Sequence, residues 1–245
     1  MSDVLSGHFQ GHLLELRRRV TIAFLAVVLA SCGAYFFAED ISLFFIAPLF
    51  RASPELSHLV YTNLTEAFIT YLKMSVLIGV IVSFPVVLYQ CWMFMAPGLH
   101  AHEKRFALLV VFWATLLFVF GVFFAYGAVL PRALTYLMSF AGENLTAMPK
   151  LDSYLSFVAR SGLAFGLAFE IPFLMVMAGK AGFVERRYFS RQRKYFYLAI
   201  IILSFLLAAG DLMSTLLLVL PLFVLYELGL VVMRIFSGKK RAADL

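Results

Sequence analysis

The stretch 106–127, FALLVVFWATLLFVFGVFFAYG, carries no charged residue and no proline over its whole length. An α-helix rises ~1.5 Å per residue and needs about 20 apolar residues to cross a ~30 Å hydrocarbon core. This run supplies them, so it reads as a membrane span. Five further apolar runs flank it, at about 20–38, 67–93, 153–179, 195–209 and 212–233. Together they predict an all-α polytopic membrane protein with six transmembrane helices in a single domain, 1–245. The fifth run gives a helix of only ~22 Å, short of the core thickness. It reads as a re-entrant segment or as a short span, and Gly210-Asp211 as a tight turn into the next run favours the span. The fifth and sixth helices are expected to be short and to thin the bilayer beside them. The outer loops are read at about 39–66, 128–152 and 210–211, with Pro48 and Pro54 punctuating the first and Pro131 opening the second.

Composition agrees. The chain has 245 residues, 63% apolar and 14% charged, with a mean hydropathy of +0.93. Soluble domains are nearer half apolar and a quarter charged. The net charge of +6 does not point to nucleic acid, because the basic residues flank apolar runs instead of forming a solvated face. With both termini cytoplasmic, only Arg51, Lys73, Arg132, Lys150 and Arg160 of the 20 Lys and Arg fall on the outer side. That asymmetry is the positive-inside pattern, and an odd number of spans destroys it. Arg17-Arg18-Arg19 followed by an apolar run resembles a secretory signal, and Leu29–Cys32 a lipoprotein box, but 20–38 is read as a permanent span. Cys32 and Cys91 fit no metal spacing and no disulfide framework.

Polar residues inside the apolar runs are the candidates for function. Pro85, Pro172 and Pro221 lie within the second, fourth and sixth spans, where each removes a backbone hydrogen bond, and predict a kinked, cupped bundle. Glu170 lies deep in the fourth span. A carboxyl there must face protein or a wet cavity. Gly162, Gly166 and Glu170 are four apart and share a helix face, which suits close approach of another helix. Glu227 lies nearer the inner end of the sixth span, where it either snorkels or pairs with Arg234. Asp211 caps the sixth helix, and Asp152 or Ser153 the fourth. On the basic inner side, Glu15 precedes Arg17-Arg18-Arg19 and Glu103 precedes Lys104-Arg105; each reads either as a local salt bridge or as a site for a cationic partner.

Enzyme readings find no support. The nearest approach to an intramembrane serine-protease motif is Ala159-Arg160-Ser161-Gly162, and all five histidines, His8, His12, His58, His100 and His102, lie outside the spans. There is no metal-ligand pair and no phosphate-cradling loop, so neither a metal nor a cofactor is expected. A small proton- or cation-coupled membrane transporter is the alternative. It is disfavoured because Pro85 and Pro221 interrupt non-equivalent helices of the two halves.

Several blocks resemble one family in order along nearly the whole chain. They are His12–Arg19, Ala47-Pro48-Leu49, Glu66-Ala67-Phe68, Phe84–Trp92, Phe94–Leu99 with His102–Arg105, Phe120–Tyr126, Ser153-Tyr154-Leu155, Phe165–Pro172 and Tyr226–Gly229. The family is TatC, the multispanning subunit of the twin-arginine (Tat) protein translocase. The resemblance implies Sec-independent translocation of folded proteins across the bacterial cytoplasmic (inner) membrane, driven by the proton gradient. It implies that Glu15 and Glu103, with Arg17, Phe94 and Leu99, bind the twin-arginine signal peptide. A guanidinium meets a carboxylate bidentately, so two carboxylates suit two arginines. It assigns Glu170, which would line the concave membrane face, together with Thr215 and Glu227 to intramembrane contact with a partner helix. Pro48, Phe68, Tyr126 and Asp211 become structural positions. The implied partners are TatA- and TatB-type single-span subunits, membrane lipid and further copies of the chain, with no nucleic acid. The chain departs from the family pattern in the turn Leu207-Ala208-Ala209-Gly210-Asp211, usually proline-rich, and at Thr215, usually an amide.

Overall fold

A computed structural model describes the backbone of residues 2–52, 59–60, 63, 65–95, 101–139, 148–180, 186–207 and 212–241, and the side chains of 11–51, 59–60, 63, 65–94, 108–139, 148–178, 188–206, 212, 215–216 and 218–234. The elements run α1 (Ser2–Tyr35), α2 (Ala38–Ala52), α3 (Glu66–Met95), α4 (Ala101–Phe124), a π-helical turn (Ala125–Val129), α5 (Leu130–Met138), α6 (Leu151–Lys180), α7 (Arg186–Arg191), α8 (Arg193–Leu207) and α9 (Leu212–Arg241). Among the described residues there is no strand, only one isolated parallel bridge between Val60 and Lys150.

The protein is an all-α membrane protein, and the body of each of the six predicted stretches is helical. Among the described residues, Glu66–Phe94, Leu108–Met138 and Leu151–Ala178 are each long and apolar enough to cross a bilayer alone. Gly11–Tyr35 and Ala38–Arg51 qualify as a pair, bent by 82° at a short break. The fifth helix, α8, has 15 residues, the short element anticipated from its sequence. Many large apolar side chains, among them Phe24, Leu29, Phe112, Phe123 and Leu206, are exposed on the isolated chain. In a helical protein this apolar, that surface belongs to lipid.

Three boundaries differ from the sequence reading. The third span does not end near residue 127 in an outer loop; it continues through the π-turn to Met138. Pro131 sits in the first turn of α5, where a missing N–H is tolerated. The register shift shows at Leu130, whose N–H reaches back five residues to the Ala125 carbonyl, and Arg132 Nη1 donates to the Ala128 carbonyl at 2.9 Å. Second, Pro48 does not punctuate a loop but lies inside α2. Third, the sixth helix, expected to be short, is not: it is apolar over 212–233 but has 30 residues and runs on to Arg241, since Lys and Arg sustain a helix beyond the lipid.

The chain forms two compact units: residues up to Leu43 with Phe68–Leu116, and Phe44–Ala67 with Leu117–Leu245. In the first unit, α1 and α3 meet at a close seam. A Cβ on Gly79 would lie 2.7 Å from the backbone nitrogen of Ser31, so only glycine permits this approach. Ser31 turns its hydroxyl to its own helix, donating to the Val27 carbonyl at 2.7 Å. In the second unit the core gathers Phe165, Ala168 and Met175 of α6, Ile200 of α8, and Leu218, Leu222, Tyr226 and Met233 of α9. The helices α3, α6 and α9 each run as one element through their prolines, 85, 172 and 221.

In the same unit, the start of α6 is organised by Glu66. Its carboxylate is buried, accepts from the Asn63 and Asp152 backbone N–H groups at 3.4 Å each, and lies 3.7 Å from Lys150 Nζ. The expected caps, Asp152 and Ser153, fall inside α6 instead, and the Asp152 carboxylate accepts from Ser156 Oγ at 3.4 Å. A carboxylate beside the positive end of the helix dipole is favourably placed.

Candidate functional site

Two of the candidates, Glu15 and Phe94, lie in the first unit on the seam of α1 and α3. His12 stacks on Phe94 at 4.5 Å with the rings 21° apart, tying the start of α1 to the end of α3. One turn further along, Leu14, Glu15, Arg18, Arg19 and Ile22 of α1 face Tyr89, Gln90 and Met93 of α3 around a cavity of about 520 Å³. Polar and apolar groups line it together, which suits a peptide side chain with an alkyl stem and a charged head.

Glu15 supplies the carboxylate of this cavity, and it is engaged. Arg19, four residues on, donates to Glu15 Oε1 through Nε at 3.0 Å and also through Nη2. Arg19 Nη1 reaches Gln90 Oε1 at 3.5 Å, so the pair is tethered to α3. Arg17 points elsewhere: its side chain is exposed and outside the cavity lining, and its carbonyl accepts from Thr21 Oγ1 at 2.8 Å. Glu103 falls in the first turn of α4, but its side chain, like Leu99 as a whole, lies outside the described residues. The cavity thus joins Glu15 and the neighbourhood of Phe94, and substitutes Arg18 and Arg19 for the expected Arg17. The i, i+4 spacing of Glu15 and Arg19 was the available signal for that pair; nothing in the sequence pointed to Tyr89 or Gln90 facing it.

Glu170 lies in the second unit, where α4 and α6 cross closely. A Cβ on Gly121 would meet the Phe165 carbonyl oxygen at 2.5 Å, and one on Gly166 would meet the Phe118 ring at 2.7 Å. The small face 162–166–170 therefore does receive a helix, and the helix is α4. Glu170 sits one turn beyond Gly166, only 5% exposed, so within the chain it is enclosed and does not line an open face. Its two oxygens are shielded and make no hydrogen bond of ordinary geometry among the described residues, although the Phe118 backbone faces them. A carboxyl in that state is costly to keep.

Glu227 pairs with Arg193 of α8, not with Arg234. Arg193 Nη2 lies 3.2 Å from Glu227 Oε2, and Tyr197 donates to Glu227 Oε1. Residues 227 and 234 are about two turns, ~10 Å, apart along one helix, whereas α8 packs directly beside α9. Tyr226 Oη donates to the Phe189 carbonyl at 3.0 Å and its ring stacks on Phe196 at 5.2 Å, joining α9 to α7 and α8. Thr215 is buried in α9. Asp211, with the expected Gly210-Asp211 turn, lies outside the described residues.

Three of the positions assigned structural roles, Phe68, Pro48 and Tyr126, are among the described residues. Phe68 meets Tyr35 edge-on at 6.3 Å. Pro48 is buried in α2, and Tyr126 donates to the Phe44 carbonyl at 2.7 Å while its ring stacks on Phe44 at 4.7 Å. Tyr154 Oη donates to the next carbonyl, Phe45, at 2.8 Å.

Residues 11–221 match the family model described as TatC, Sec-independent protein translocase protein. A Sec-independent protein translocase protein TatC of Desulforapulum autotrophicum is 37% identical over 236 residues, 96% of this chain and 87% of that protein. The TatC protein of Escherichia coli K12 is 34% identical over 230 residues, 94% of this chain and 89% of its own length. A crystal structure of the twin arginine translocase receptor TatC superposes with a TM-score of 0.84 at 35% identity, covering 92% of this chain and 99% of that one. The shared fold and the extent of these matches show that the chain belongs to the TatC family of Sec-independent protein translocase proteins.

Proposed function

We propose that this chain is the signal-peptide receptor of a twin-arginine translocase, exporting folded proteins across the bacterial cytoplasmic membrane independently of the Sec route. Its cytoplasmic face, with both termini inside, takes the paired arginines at Glu15 and Glu103, and Phe94 and Leu99 support the flanking residues. The observation that carries the reading is the cavity between α1 and α3, in which Glu15 is an acid on a strongly basic face and already holds a guanidinium through Arg19. A site that binds one guanidinium well has the geometry for another.

Within the membrane, Glu170, Thr215 and Glu227 serve the assembled complex, which includes TatA- and TatB-type single-span subunits, lipid and further copies of the chain. Glu170 supports this most directly, because among the described residues its enclosed carboxyl meets no side-chain partner and has only the Phe118 backbone facing it, which leaves hydrogen-bonding capacity for a helix of another subunit. The polypeptide gathers and positions partners; it has no catalytic role, and the proton gradient drives transport.

The test is complementation. A bacterium lacking its own TatC and given this chain with matching single-span subunits should export a folded twin-arginine reporter, and Glu15→Ala together with Glu103→Ala should stop that export. A reporter retained in the cytoplasm despite membrane insertion of the unaltered chain contradicts the assignment.

A further inference from the structure

The carboxylate assigned to the signal peptide is not vacant, and its occupant has the chemistry of the ligand. Arg19 donates twice to Glu15 Oε1, through Nε at 3.0 Å and through Nη2, and Gln90 Oε1 on α3 steadies the third nitrogen at 3.5 Å. The Arg19 side chain is 20% exposed and that of Glu15 34%, so both line the cavity instead of waving in solvent. Arg18 lines the same cavity but makes no contact with Glu15 among the described residues. One of two neighbouring arginines is therefore seated on the acid and the other is not.

We propose that Arg19 is a built-in competitor for the Glu15 site: its guanidinium holds the carboxylate when no signal peptide is docked, and an arriving signal arginine must displace it. The inference rests on the assignment of Glu15 to signal binding. Exchanging one guanidinium for another leaves the charge and the directed hydrogen bonds of Glu15 nearly unchanged. The exchange therefore has little net driving force at this position, and affinity must come from the rest of the signal. Glu15 is then never left as an uncompensated acid in a half-buried cavity. A bound signal is also readily released, because Arg19, tethered four residues away on the same helix, recaptures the carboxylate as an intramolecular partner.

The test uses the full chain in lipid nanodiscs and a fluorescent peptide carrying a twin-arginine signal. Arg19→Gln should tighten binding about two- to fivefold, the span a half-exposed ion pair supports, and should slow dissociation. Arg18→Gln removes the same charge from the same cavity and should give a clearly smaller gain. Arg19→Lys, which keeps the charge but loses the fork, should fall between native and Arg19→Gln. In a Glu15→Gln background, Arg19→Gln should add nothing. Weaker or unchanged binding in both Arg19 variants, or equal gains from Arg18→Gln and Arg19→Gln, overturns the competitor role while leaving Glu15 as the binding residue. Native-strength binding in Glu15→Gln alone removes the assignment of Glu15 itself, and the competitor with it.

Discussion

The hydroxyl of Tyr126 donates a 2.7 Å hydrogen bond to the carbonyl of Phe44, the acceptor that Pro48 leaves without its helical donor. In an α-helix the N–H of residue 48 would bond to carbonyl 44, and proline has none. The π-turn Ala125–Val129 carries the tyrosine that takes this open acceptor, and Tyr154 donates to the adjoining carbonyl of Phe45 at 2.8 Å. The two tyrosines thus fasten residues 44–52 of α2 within the second unit.

Tyr126→Phe should therefore destabilise the protein by about 1 kcal/mol, the net worth of a side-chain hydrogen bond to an acceptor without a helical donor. In a Pro48→Ala background the loss should shrink, since an alanine at that position supplies the missing N–H. A double-mutant cycle on thermal unfolding in detergent measures this coupling. Equal losses in both backgrounds contradict the account.

The crossing of α4 and α6 should tolerate a methyl group unequally. Gly121→Ala drives a Cβ into the backbone oxygen of Phe165, which cannot turn aside, whereas Gly166→Ala presses on the side chain of Phe118. Overpacking costs roughly 1–3 kcal/mol, and Gly121→Ala should lie at the upper end with Gly166→Ala below it. The order of their midpoints in thermal unfolding, with membrane accumulation as a second readout, checks this; a reversed order sinks it.

Glu170 is expected to separate folding from transport. Replacing an enclosed carboxyl that meets no side-chain partner among the described residues with an apolar side chain of similar size should leave stability unchanged or raise it by about 1–3 kcal/mol. Glu170→Leu should accordingly accumulate and unfold like the native protein while exporting poorly. A variant that loses stability and keeps export would return Glu170 to the fold.

The Arg193–Glu227 pair is half-exposed, so Arg193→Ala or Glu227→Gln should each cost only ~0.5–1 kcal/mol, and the double variant little more than either single one. Thermal unfolding of the three variants decides it, and fully additive losses would contradict the pairing.

The long apolar helices Glu66–Phe94, Leu108–Met138 and Leu151–Ala178 were legible because lipid demands such runs, and no tertiary detail competes with that signal. The ends were not. Pro131 reads as a loop opener from sequence, but it occupies a first helical turn where its missing N–H costs nothing, so the third span ran past its expected end to Met138. Pro48 reads as a break, but the helix runs through it, and a tyrosine from a distant stretch of the chain takes the carbonyl left open. Glu15, Glu170 and Glu227 stood out as acids in unusual company, and Phe94 entered through the family resemblance. Their partners did not: Arg193, Gln90 and the Phe118 backbone are set by which helices pack, and one sequence does not record that. Glu66 belonged to a recognised block, yet its work at the start of α6 depends on two loops meeting at Val60 and Lys150.

Signal recognition at the inner carboxylates is the central claim, and photocrosslinking tests it most directly. A twin-arginine signal peptide with a photoreactive residue beside its arginines should crosslink to the native chain in membranes. With Glu15→Ala or Glu103→Ala the crosslink should be lost, while the protein still accumulates to its native level. Undiminished crosslinking in both variants would contradict the account.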